Sequence, residues 1–492
     1  MSQIIRLIRQ LSPAQASMLL VGLMTVLHIF VAMSVGLGVD EAHYALYGKF
    51  LDWSYFDHPP MVGWLQAIAE RFSDTNLALR TIPILLSMGS AYVLYRLTGE
   101  LFPEAGPWTP FIAVLLLESA LMVHLIGLSM LPEAPLLLTS LCSVWALYRV
   151  AQSNRLVEWL VLGLCLGLAG LSKYTAVTLV VTVVVYLLAT RHWQYFLRYP
   201  LWLAAGIAFI CILPVLYWNM THDWISFDYQ LHHGFKHHSW SILRFTRAQL
   251  AQFATYAPLV YGFGIAAMVS GIKEWRSHDG VKLCLLFSIP ILLLFGWGAG
   301  FETSLPHWTA VAWVGLIPLT ARWLTGHWDN VRVRWLAWIS GAFAIVVLVI
   351  VHVIALYPAF PFPKGEHPLR DLLGWKQAAH RAETLREQMA TTPGPKPVLM
   401  VDNWSLASRL AWYARPQRVL VTDTRYDQFD IWFGELKKGD RGIMVIPSYF
   451  SQPSKSQLGL FEHCEKIDQM PVKLKDIVAF SYVFYSCVGY KD

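Results

Sequence analysis

The chain has 492 residues, of which 56% are hydrophobic and only 14% are charged, and its formal net charge is +6. Soluble domains carry about a quarter charged residues, so this composition excludes an ordinary soluble protein and predicts a polytopic membrane protein. The Lys and Arg residues lie mostly in short loops between apolar runs. That distribution indicates contact with lipid headgroups, and it excludes nucleic acid as the expected partner.

Apolar runs long enough to cross a bilayer as single helices recur along most of the chain. They lie at residues 16–38, 77–95, 108–128, 131–149, 199–218, 249–271, 282–301, 306–323 and 335–357. The first run follows Arg6 and Arg9. At about 23 residues it is longer than a signal-peptide core, so we expect an uncleaved first span.

A further apolar stretch, residues 156–190, is interrupted once, at Ser172-Lys173-Tyr174. One alternative is a single helix of about 50 Å, which is longer than a bilayer needs. The other is two short helices that turn at Lys173. The turn keeps the cations of the other short loops on the side of Arg6 and Arg9, as the positive-inside rule requires. We therefore expect about eleven transmembrane helices, an N-terminus in the cytoplasm and a C-terminus outside.

Two long outer loops follow from this topology. The first spans residues 39–76, and we expect short interfacial helices in it from Ala42 to Trp53 and from Pro60 to Phe72. The second spans residues 219–248. The ionisable residues on this outer side include Asp40, Glu41, Glu133, Lys173, Glu302 and His307.

Asp40 and Glu41 directly follow an uncharged apolar run. One alternative is a helix cap, because an Asp before a helix start accepts hydrogen bonds from unpaired backbone N–H groups. The other is catalysis, with Asp40 as a general base and Glu41 holding it in place or binding a cation. A carboxylate beside a low-dielectric wall is a stronger base than one in water.

The first outer loop continues with Asp57-His58-Pro59-Pro60. Ordinary turn chemistry is one explanation for Asp and Pro at these positions. The functional alternative is that His58, at the start of a rigid segment, binds a phosphate oxygen. Asp57 would then be a supporting acid.

Glu133 and Lys173 are ionisable residues at the edges of apolar helices. A carboxylate is favoured at a helix N-terminus, and a lysine side chain can extend along a helix towards the headgroups. The functional alternative is a site in which Lys173 binds a phosphate and Glu133 supports it.

The second outer loop is rich in histidine and basic residues. These are His222, His232, His233, Lys236, His237, His238, Arg244 and Arg247. Zinc binding is one alternative, but adjacent histidine pairs without cysteine do not match a closed structural site. A cationic surface over an anionic headgroup is favoured, with Arg244 and Arg247 as candidate phosphate ligands. Glu302 and His307 flank the next outer turn, where Glu302 is a further candidate supporting acid.

The composition changes after residue 357, where several prolines predict a stiff linker. The predicted elements beyond it are a helix at 374–390, strand Val398–Val401, a helix at 404–414, strands Val419–Val421 and Ile443–Ile446, and a β-rich segment Ile477–Val488. This order predicts a small exported α/β domain, residues 358–492, after a transmembrane domain, residues 1–357. Cys464 and Cys487 lie in this tail without metal-type spacing.

The sequence contains no P-loop, no dinucleotide fingerprint after a strand and no serine nucleophile elbow. A nucleotide-activated donor is therefore not supported. If acidic and basic side chains on the outer side carry out the reaction, the group donor must be present on that side. A group linked to a lipid phosphate meets this requirement without ATP.

Three motifs in one order carry a resemblance to a known family. They are Asp40-Glu41, the segment Tyr55-Phe-Asp-His-Pro-Pro-Met-Val62, and Gly170-Leu-Ser-Lys-Tyr-Thr175. Together they resemble the GT-C superfamily of integral membrane glycosyltransferases, in the bacterial branch of protein O-mannosyltransferases and the lipid A aminoarabinose transferase. The resemblance covers about residues 1–357, and the α/β tail suits this branch. The aminoarabinose transferase tends to have Lys at the position of His58, and related proteins often carry Asp at that of Glu133.

The resemblance implies an inverting glycosyltransferase that moves a monosaccharide from a polyprenyl-phosphate carrier to a lipid, glycan or protein acceptor. Asp40 would act as the general base or orient the acceptor. Lys173, His58 and the basic loop would stabilise the departing phosphate. The implied location is the cytoplasmic (inner) membrane, with the active site and tail on the periplasmic face. A divalent cation is a candidate cofactor, and no other is expected.

Two other function classes stay open. A transporter or lipid flippase would show inverted repeats and charges on broken helices near mid-membrane. Here no repeat is evident, and the ionisable residues cluster at one face. A membrane scaffold would use its tail to bind partners. A tail-only protein that retained the whole phenotype would indicate that class.

Overall fold

The computed structural model describes residues 11–234, 239–359, 362–363, 365–450, 458–475 and 477–491. Helices occupy most of the chain as far as Leu356, and strands and helices alternate after it. The helices before the tail are α1 Pro13–Ser34, α2 Val39–Lys49, α3 Met61–Glu70, α4 Asn76–Leu101, α5 Thr109–Ser119, α6 Leu121–Leu128, α7 Glu133–Ser153, α8 Leu156–Ser172, α9 Val177–Ala189, α10 Tyr199–Thr221, α11 Ile225–Gly234, α12 Ile242–Glu274, α13 Asp279–Ile291, α14 Ala310–Gly326 and α15 Val331–Leu356. The tail contains α16 Trp375–Ala390, β1 Val398–Val401, α17 Trp404–Tyr413, β2 Val419–Val421, α18 Gln428–Phe433, β3 Gly442–Pro447, β4 Phe461–Leu474 and β5 Ile477–Tyr490.

Every apolar run predicted from the sequence contains a helix. Among the described residues, 7 helices are long and apolar enough to cross a membrane, namely α1, α4, α7, α10, α12, α15 and α13 with its continuation to Gly300. The pair α5 and α6, bent by 75° at its break, would be an eighth span. The difference from the expected total of about eleven lies in the shorter helices α8, α9 and α14.

The stretch at 156–190 breaks at Lys173. Helix α8 ends at Ser172, and Lys173 itself has extended backbone angles of φ −158° and ψ 144°. A 3₁₀ turn from Tyr174 to Ala176 then leads into α9. The structure therefore excludes one continuous helix, and Lys173 stands at the junction of two short ones.

Small residues allow α8 and α10 to pack closely. A Cβ atom on Gly163 would lie 2.5 Å from the carbonyl oxygen of Ala204, and one on Gly167 would lie 2.5 Å from the Cβ of Cys211. Only glycine fits at these two positions. Close backbone approach of this kind drives helix association in membranes, where lipid tails remove the hydrophobic effect between helices.

Side chains of α12 make buried hydrogen bonds that hold the start of α14 in place. The side-chain oxygen of Gln252 accepts from the Thr309 hydroxyl at 3.1 Å and from the Trp313 indole at 2.8 Å. The Tyr256 hydroxyl donates to the carbonyl of Pro306 at 2.8 Å. These bonds fix the 3₁₀ turn Pro306–Thr309, which carries His307.

The described chain divides into two compact units. Among the described residues, the first comprises those within 11–30, 53–62 and 80–350, and the second comprises those within 31–52, 63–79 and 351–491. The sequence places the outer loop 39–76 with the transmembrane domain, whereas α2 and most of α3 belong to the unit that contains the tail. Apolar residues of this loop region share the core of the tail, and they are Leu37, Ala42, Ala45, Leu46 and Leu79.

The tail is built on a five-stranded sheet in the order β2-β1-β3-β5-β4. Strand β1 pairs in parallel with β2 and β3, and β5 pairs in antiparallel with β3 and β4. The predicted small α/β domain is therefore present, with two elements that the sequence did not predict. Strand β4 carries mostly exposed polar and charged residues, and α18 is only 6 residues long.

Within the second unit, polar contacts hold the loop helices together and to the tail. The Lys49 ammonium on α2 lies 3.1 Å from the Glu70 carboxylate on α3. After α3, the Asp74 carboxylate lies 3.1 Å from the guanidinium of Arg415 in the tail. The side chain of Asn76 donates to the carbonyl of Val35 at 2.9 Å, which closes the loop.

Cys464 and Cys487 form a disulfide between β4 and β5. The two residues lie directly opposite each other in the antiparallel register, with their Cα atoms 4.0 Å apart. Cys142, Cys165, Cys211 and Cys284 are free thiols. Structural disulfides persist in oxidising compartments, so the pairing supports export of the tail.

Loss of this disulfide should destabilise the tail. The bridged residues are 23 positions apart, and chain entropy gives such a bridge about 3 kcal/mol of unfolding free energy. The variant Cys464→Ser/Cys487→Ser should therefore have a lower thermal midpoint than the wild-type protein in detergent. Reductant should lower the midpoint of the wild type and leave the double variant unchanged. Six maleimide-reactive thiols in the unreduced, denatured wild type would contradict the pairing, since the chain has 6 cysteines.

Candidate active site

A buried ion pair joins two helix junctions in the first unit. Glu133 is the first residue of α7, and its carboxylate accepts a hydrogen bond from the ammonium of Lys173, between α8 and α9. The Glu133 side chain is 3% exposed and that of Lys173 is 12% exposed. The His307 Nε2 atom lies 3.7 Å from the same carboxylate. Burial makes the pairing obligatory, because an isolated charge in such a place is strongly destabilising.

The ion pair borders a cleft whose other walls are mainly apolar. The lining residues are Glu133, Leu136, Ser140, Lys173, Thr175, Ala176, Thr178, Leu179, Ile291, Trp308 and Val311. The cleft therefore offers one fixed charge pair and several hydroxyl groups beside an apolar wall. A ligand with an anionic head and a hydrocarbon tail matches that distribution.

The segment with Asp57 and His58 is held in place by α11. The Gln230 amide donates to the carbonyl of Asp57 at 2.7 Å, and the Ser226 hydroxyl donates to the carbonyl of Tyr55 at 2.9 Å. His58 is half-buried and close enough to Glu133 for an electrostatic interaction. The structure thus brings together His58, Lys173 and Glu133, three of the predicted site residues.

His307 joins the same group. From the sequence it was only a residue near an outer turn. The contact with Glu133 depends on the hydrogen bonds that position the turn Pro306–Thr309, so no local sequence signal could have identified it. Glu133, His58 and His307 do not form a set of three metal-ligand atoms within 4.8 Å of one another in the described part of the chain. The candidate divalent cation therefore has no assigned ligands here.

Asp40 and Glu41 lie in the first turn of α2, which begins at Val39, earlier than predicted. Glu41 is buried, and its carboxylate accepts a hydrogen bond from the backbone N–H of Gly38 at 2.9 Å. The capping interaction expected for Asp40 is therefore made by Glu41, because a carboxylate at the third helical position reaches back to the cap residue. Asp40 is half-buried at the second position.

Helix α2 owes its position to the tail. The ring of His43 lies between 5.5 and 5.8 Å from the rings of Trp404, Phe429 and Trp432. The Tyr413 hydroxyl accepts a hydrogen bond from the backbone N–H of Leu37 at 3.3 Å, just before α2. The orientation of Asp40 is therefore set by residues hundreds of positions away in the sequence.

The chain is similar in sequence to known glycosyltransferases. Residues 57–218 match the family described as dolichyl-phosphate-mannose-protein mannosyltransferase. The lipid A galacturonosyltransferase RgtD of Rhizobium johnstonii is 25% identical over 390 residues, which cover 77% of each chain. An undecaprenyl phosphate-alpha-4-amino-4-deoxy-L-arabinose arabinosyl transferase of Proteus mirabilis is 28% identical over 171 residues, covering 33% of this chain and 30% of the relative.

The fold is also that of a solved membrane enzyme. The structure of ArnT from Cupriavidus metallidurans bound to undecaprenyl phosphate matches with a TM-score of 0.62 at 14% identity, covering 95% of this chain and 97% of ArnT. In sequence and in fold the chain is similar to GT-C glycosyltransferases. The expected fold class, a helical polytopic membrane protein with a small α/β tail, is confirmed. These similarities support a glycosyltransferase over the transporter alternative.

Arg244, Arg247 and Glu302 do not line the cleft beside Lys173. The guanidinium of Arg244 donates to the carbonyl of Gly300 at 3.1 Å and to that of Ser239, so it holds the start of α12 in place. Arg247 is exposed on α12, and its role as a phosphate ligand stays a prediction. Glu302 is half-buried in the turn before His307, and its carboxylate accepts from the Thr303 N–H at 3.2 Å.

The zinc alternative for the second outer loop stays a prediction. Lys236, His237 and His238 lie outside the described residues, as do the side chains of His232 and His233. His222 is described, and its ring stacks on Trp218 with the centroids 3.9 Å apart. This stacking gives His222 a role in packing.

A second buried polar group among the helices was not predicted. The Nε2 atom of His28 on α1 lies 2.8 Å from the Nδ1 atom of His124 on α6, and the Nε2 atom of His124 lies 2.8 Å from the carbonyl oxygen of Glu118. All three residues are buried. The sequence did contain a signal for this group, because its ionisable residues lie inside apolar runs. Such residues are rare without a partner.

Removal of one partner of the buried ion pair should be strongly destabilising. Glu133→Gln leaves the Lys173 ammonium buried without its counter-charge, so we expect a loss of about 3–5 kcal/mol of unfolding free energy. The apolar double variant Lys173→Met/Glu133→Leu should recover most of that loss. Thermal unfolding of the wild type, Lys173→Met, Glu133→Leu and the double variant forms a cycle that measures the coupling.

Arg381 and Asp468 provide a control for this cycle. Their charged atoms lie 2.5 Å apart, and their side chains are 42% and 26% exposed. Because water screens such a pair, Asp468→Asn should cost less than about 1 kcal/mol. Equal losses for Asp468→Asn and Glu133→Gln would show that the Glu133 pair is not buried as described.

Proposed function

We propose that this enzyme transfers a hexuronic acid from a polyprenyl-phosphate carrier to lipid A, at the periplasmic face of the inner membrane. The observation that carries the proposal is the fixed cation Lys173 beside an apolar cleft. One relative is named for galacturonic acid and lipid A, and the ArnT structure holds undecaprenyl phosphate. His58, at a position where aminoarabinose transferases tend to have Lys, favours the uronic acid over aminoarabinose.

In this proposal Lys173 binds the phosphate of the donor. An ammonium has three N–H donors, so its bond to Glu133 leaves capacity for two phosphate oxygens. The carboxylate of Glu133 fixes the direction of the ammonium, and His58 and His307 add further ring N–H groups. As the bond from the sugar to the phosphate breaks, negative charge grows on the phosphate, and a fixed cation stabilises that charge without reorganisation.

In this proposal the apolar side chains beside Lys173 would contact the part of the carrier next to its phosphate when the donor is bound. Leu136, Leu179, Ile291 and Val311 contribute branched aliphatic side chains, and Trp308 contributes an aromatic ring. Burial of hydrocarbon against them contributes about 25 cal/mol per Å² of apolar surface. This term does not depend on the sugar, so it anchors the donor while the polar groups position the anomeric carbon.

Asp40 is the proposed general base. The acceptor hydroxyl oxygen attacks the anomeric carbon, its proton passes to the Asp40 carboxylate, and the bond between that carbon and the phosphate oxygen breaks. One displacement of this kind inverts the anomeric centre. Glu41 supports Asp40 indirectly, because its bond to Gly38 fixes the first turn of α2. If the acceptor atom were a phosphate oxygen, no base would be needed and Asp40 would only orient the acceptor.

A reconstituted reaction tests the function. Full-length enzyme in nanodiscs, with undecaprenyl-phosphate-linked galacturonic acid and lipid A, should yield lipid A that is heavier by one hexuronosyl residue in mass spectrometry. The aminoarabinose donor should give little product under the same conditions. Product from the aminoarabinose donor alone would overturn the sugar assignment. No product from either donor, with correctly folded enzyme, would overturn the proposed function.

Asp40→Asn should lower kcat by about 10²–10⁴-fold, the usual contribution of a positioned general base. The substitution keeps the shape of the side chain and removes its charge, so the KM values should change little. Asp223→Asn is the matched control, since Asp223 lies just after α10 in the second outer loop and is exposed. Its kcat should stay close to that of the wild type. Undiminished transfer by Asp40→Asn would remove Asp40 from the mechanism.

The variant Lys173→Met/Glu133→Leu gives the opposite kinetic signature. It lacks the cation but is expected to fold, so the donor KM should rise by about tenfold or more, as for the loss of a charge-assisted hydrogen bond. The acceptor KM should stay the same. A donor KM equal to that of the wild type would contradict phosphate binding by Lys173.

A further inference from the structure

A second group of acidic residues lies in the tail, where two parallel strands end. Asp402 follows β1, and Thr422 and Asp423 follow β2. Val401 is paired with Val421, and the backbone N–H of Thr422 donates to the Val401 carbonyl at 3.0 Å. Asp402 and Thr422 are therefore side-by-side neighbours on one face. In open α/β sheets, ligands bind in the crevice outside the carboxyl ends of the strands, where the chain order reverses. Here the chain order reverses between β1 and β3, so Asp402 at the end of β1 borders that position and Thr422 lies on its β2 side.

Three side-chain oxygen atoms at these strand ends and the following loop are buried without a hydrogen-bond partner in the described structure. They are Oδ1 of Asp402, Oγ1 of Thr422 and Oδ2 of Asp427. Asp427 is only 3% exposed and Thr422 is 6% exposed. The other oxygen of Asp427 accepts from the Phe429 N–H at 2.8 Å and caps α18. A buried polar atom without a partner costs about 1–3 kcal/mol, so each of these atoms calls for an explanation, and a bound ligand is one.

The carboxylates of this region also act on one another. Burial raises the pKa of Asp427 to about 6. The hydrogen bond from the Phe429 N–H lowers this pKa, the charge of Asp430 raises it, and His43 lowers it by a smaller amount. Burial also raises the pKa of Asp423, with Arg425 lowering it and Asp402 raising it. The region thus has an excess of hydrogen-bond acceptors over donors. A ligand that brings donors would relieve it.

The surroundings favour a sugar over a metal ion as that ligand. Trp404 and Trp432 are half-buried nearby, and Tyr426 is 47% exposed beside Asp427. Aromatic rings present apolar faces to the carbon faces of a sugar, while carboxylates accept from its hydroxyl groups. Within the described residues, no three of these carboxylates have oxygen atoms within 4.8 Å of one another. A single hard cation would need such a group of ligands.

We propose that the strand-end region with Asp402, Thr422 and Asp427 binds a sugar unit of the acceptor, whose hydroxyl groups donate to these three residues. The inference rests on the proposed transferase function and adds an acceptor site to it. Helix α2 connects this region to Asp40, the proposed general base. Asp40 and His43 are three residues apart, hence on one face and about 4.5 Å apart along the helix axis. His43 packs between Trp404 and Phe429 of the tail, with Trp432 beside them.

Two isosteric substitutions in the full-length enzyme test the site. Thr422→Val removes a hydroxyl that has no partner in the described protein, so the thermal midpoint should not fall. Asp427→Asn retains a good helix cap but replaces the unpaired acceptor with a donor. Each variant should raise the acceptor KM by about tenfold, with kcat and the donor KM within twofold of the wild type. Glu435→Gln, at an exposed acid of the same domain, should leave all three parameters unchanged.

A binding measurement without donor separates this inference from the proposed function. The probe is the deacylated glucosamine disaccharide of lipid A, titrated into full-length enzyme in nanodiscs by calorimetry. The wild type should bind it, and Thr422→Val should bind it about tenfold more weakly. Equal binding by the two proteins, or no binding by the wild type, would overturn the sugar site, even if transfer is observed. Normal binding without transfer would instead overturn the proposed function.

Two further outcomes count against the sugar site. A lower thermal midpoint for Thr422→Val would show that the hydroxyl has a structural partner. Binding that is abolished by a chelator and restored by Ca²⁺ would identify a cation as the direct ligand of the carboxylates.

Discussion

A charge buried at the edge of a hydrocarbon layer has to be paired, and the Glu133–Lys173 ion pair meets that requirement at the junction of three helices. Its two side chains are 3% and 12% exposed. An apolar pair of similar volume would be about as stable, so stability alone does not explain why the charges are present. Intramembrane ionic groups are usually retained for function. The extended backbone of Lys173 is part of the same constraint, because the break between α8 and α9 is what brings the ammonium to Glu133.

Much of the fold could be predicted because its determinants are local. Hydropathy located each apolar helix, and the single charge at Lys173 located the break within 156–190. Strands β1, β2, β3 and β5 are short apolar runs, which sequence patterns indicate well. Strand β4 was missed because its residues are mostly exposed and polar, and α18 because it is too short to show a period. The packing of α2 against the tail could not be predicted, since it joins Leu37 to Tyr413 and depends on tertiary contacts alone.

The site residues also divide into those that could be predicted from the sequence and those that could not. His58, Glu133 and Lys173 were predicted from their common outer face, and the structure brings them together. His307 reaches Glu133 only because Gln252 and Tyr256 hold its turn. Adjacent carboxylates at 40 and 41 could not be told apart from the sequence, because their roles depend on where α2 begins, and helix ends are uncertain by one or two residues. With the start at Val39, Glu41 makes the capping bond and Asp40 is left as the candidate base.

The two halves of the proposed reaction make different physical demands, and different parts of the chain meet them. A lipid phosphate needs a fixed cation and an apolar wall, and in the proposal the helical unit supplies both around Lys173. A sugar acceptor needs hydrogen-bond acceptors and aromatic faces near water, and the proposed source of these is the unit with the tail, at the ends of β1 and β2. Residues that do not interact contribute nearly additively to free energies. The proposal therefore expects substitutions at the strand ends to alter acceptor choice while donor binding at Lys173 stays intact.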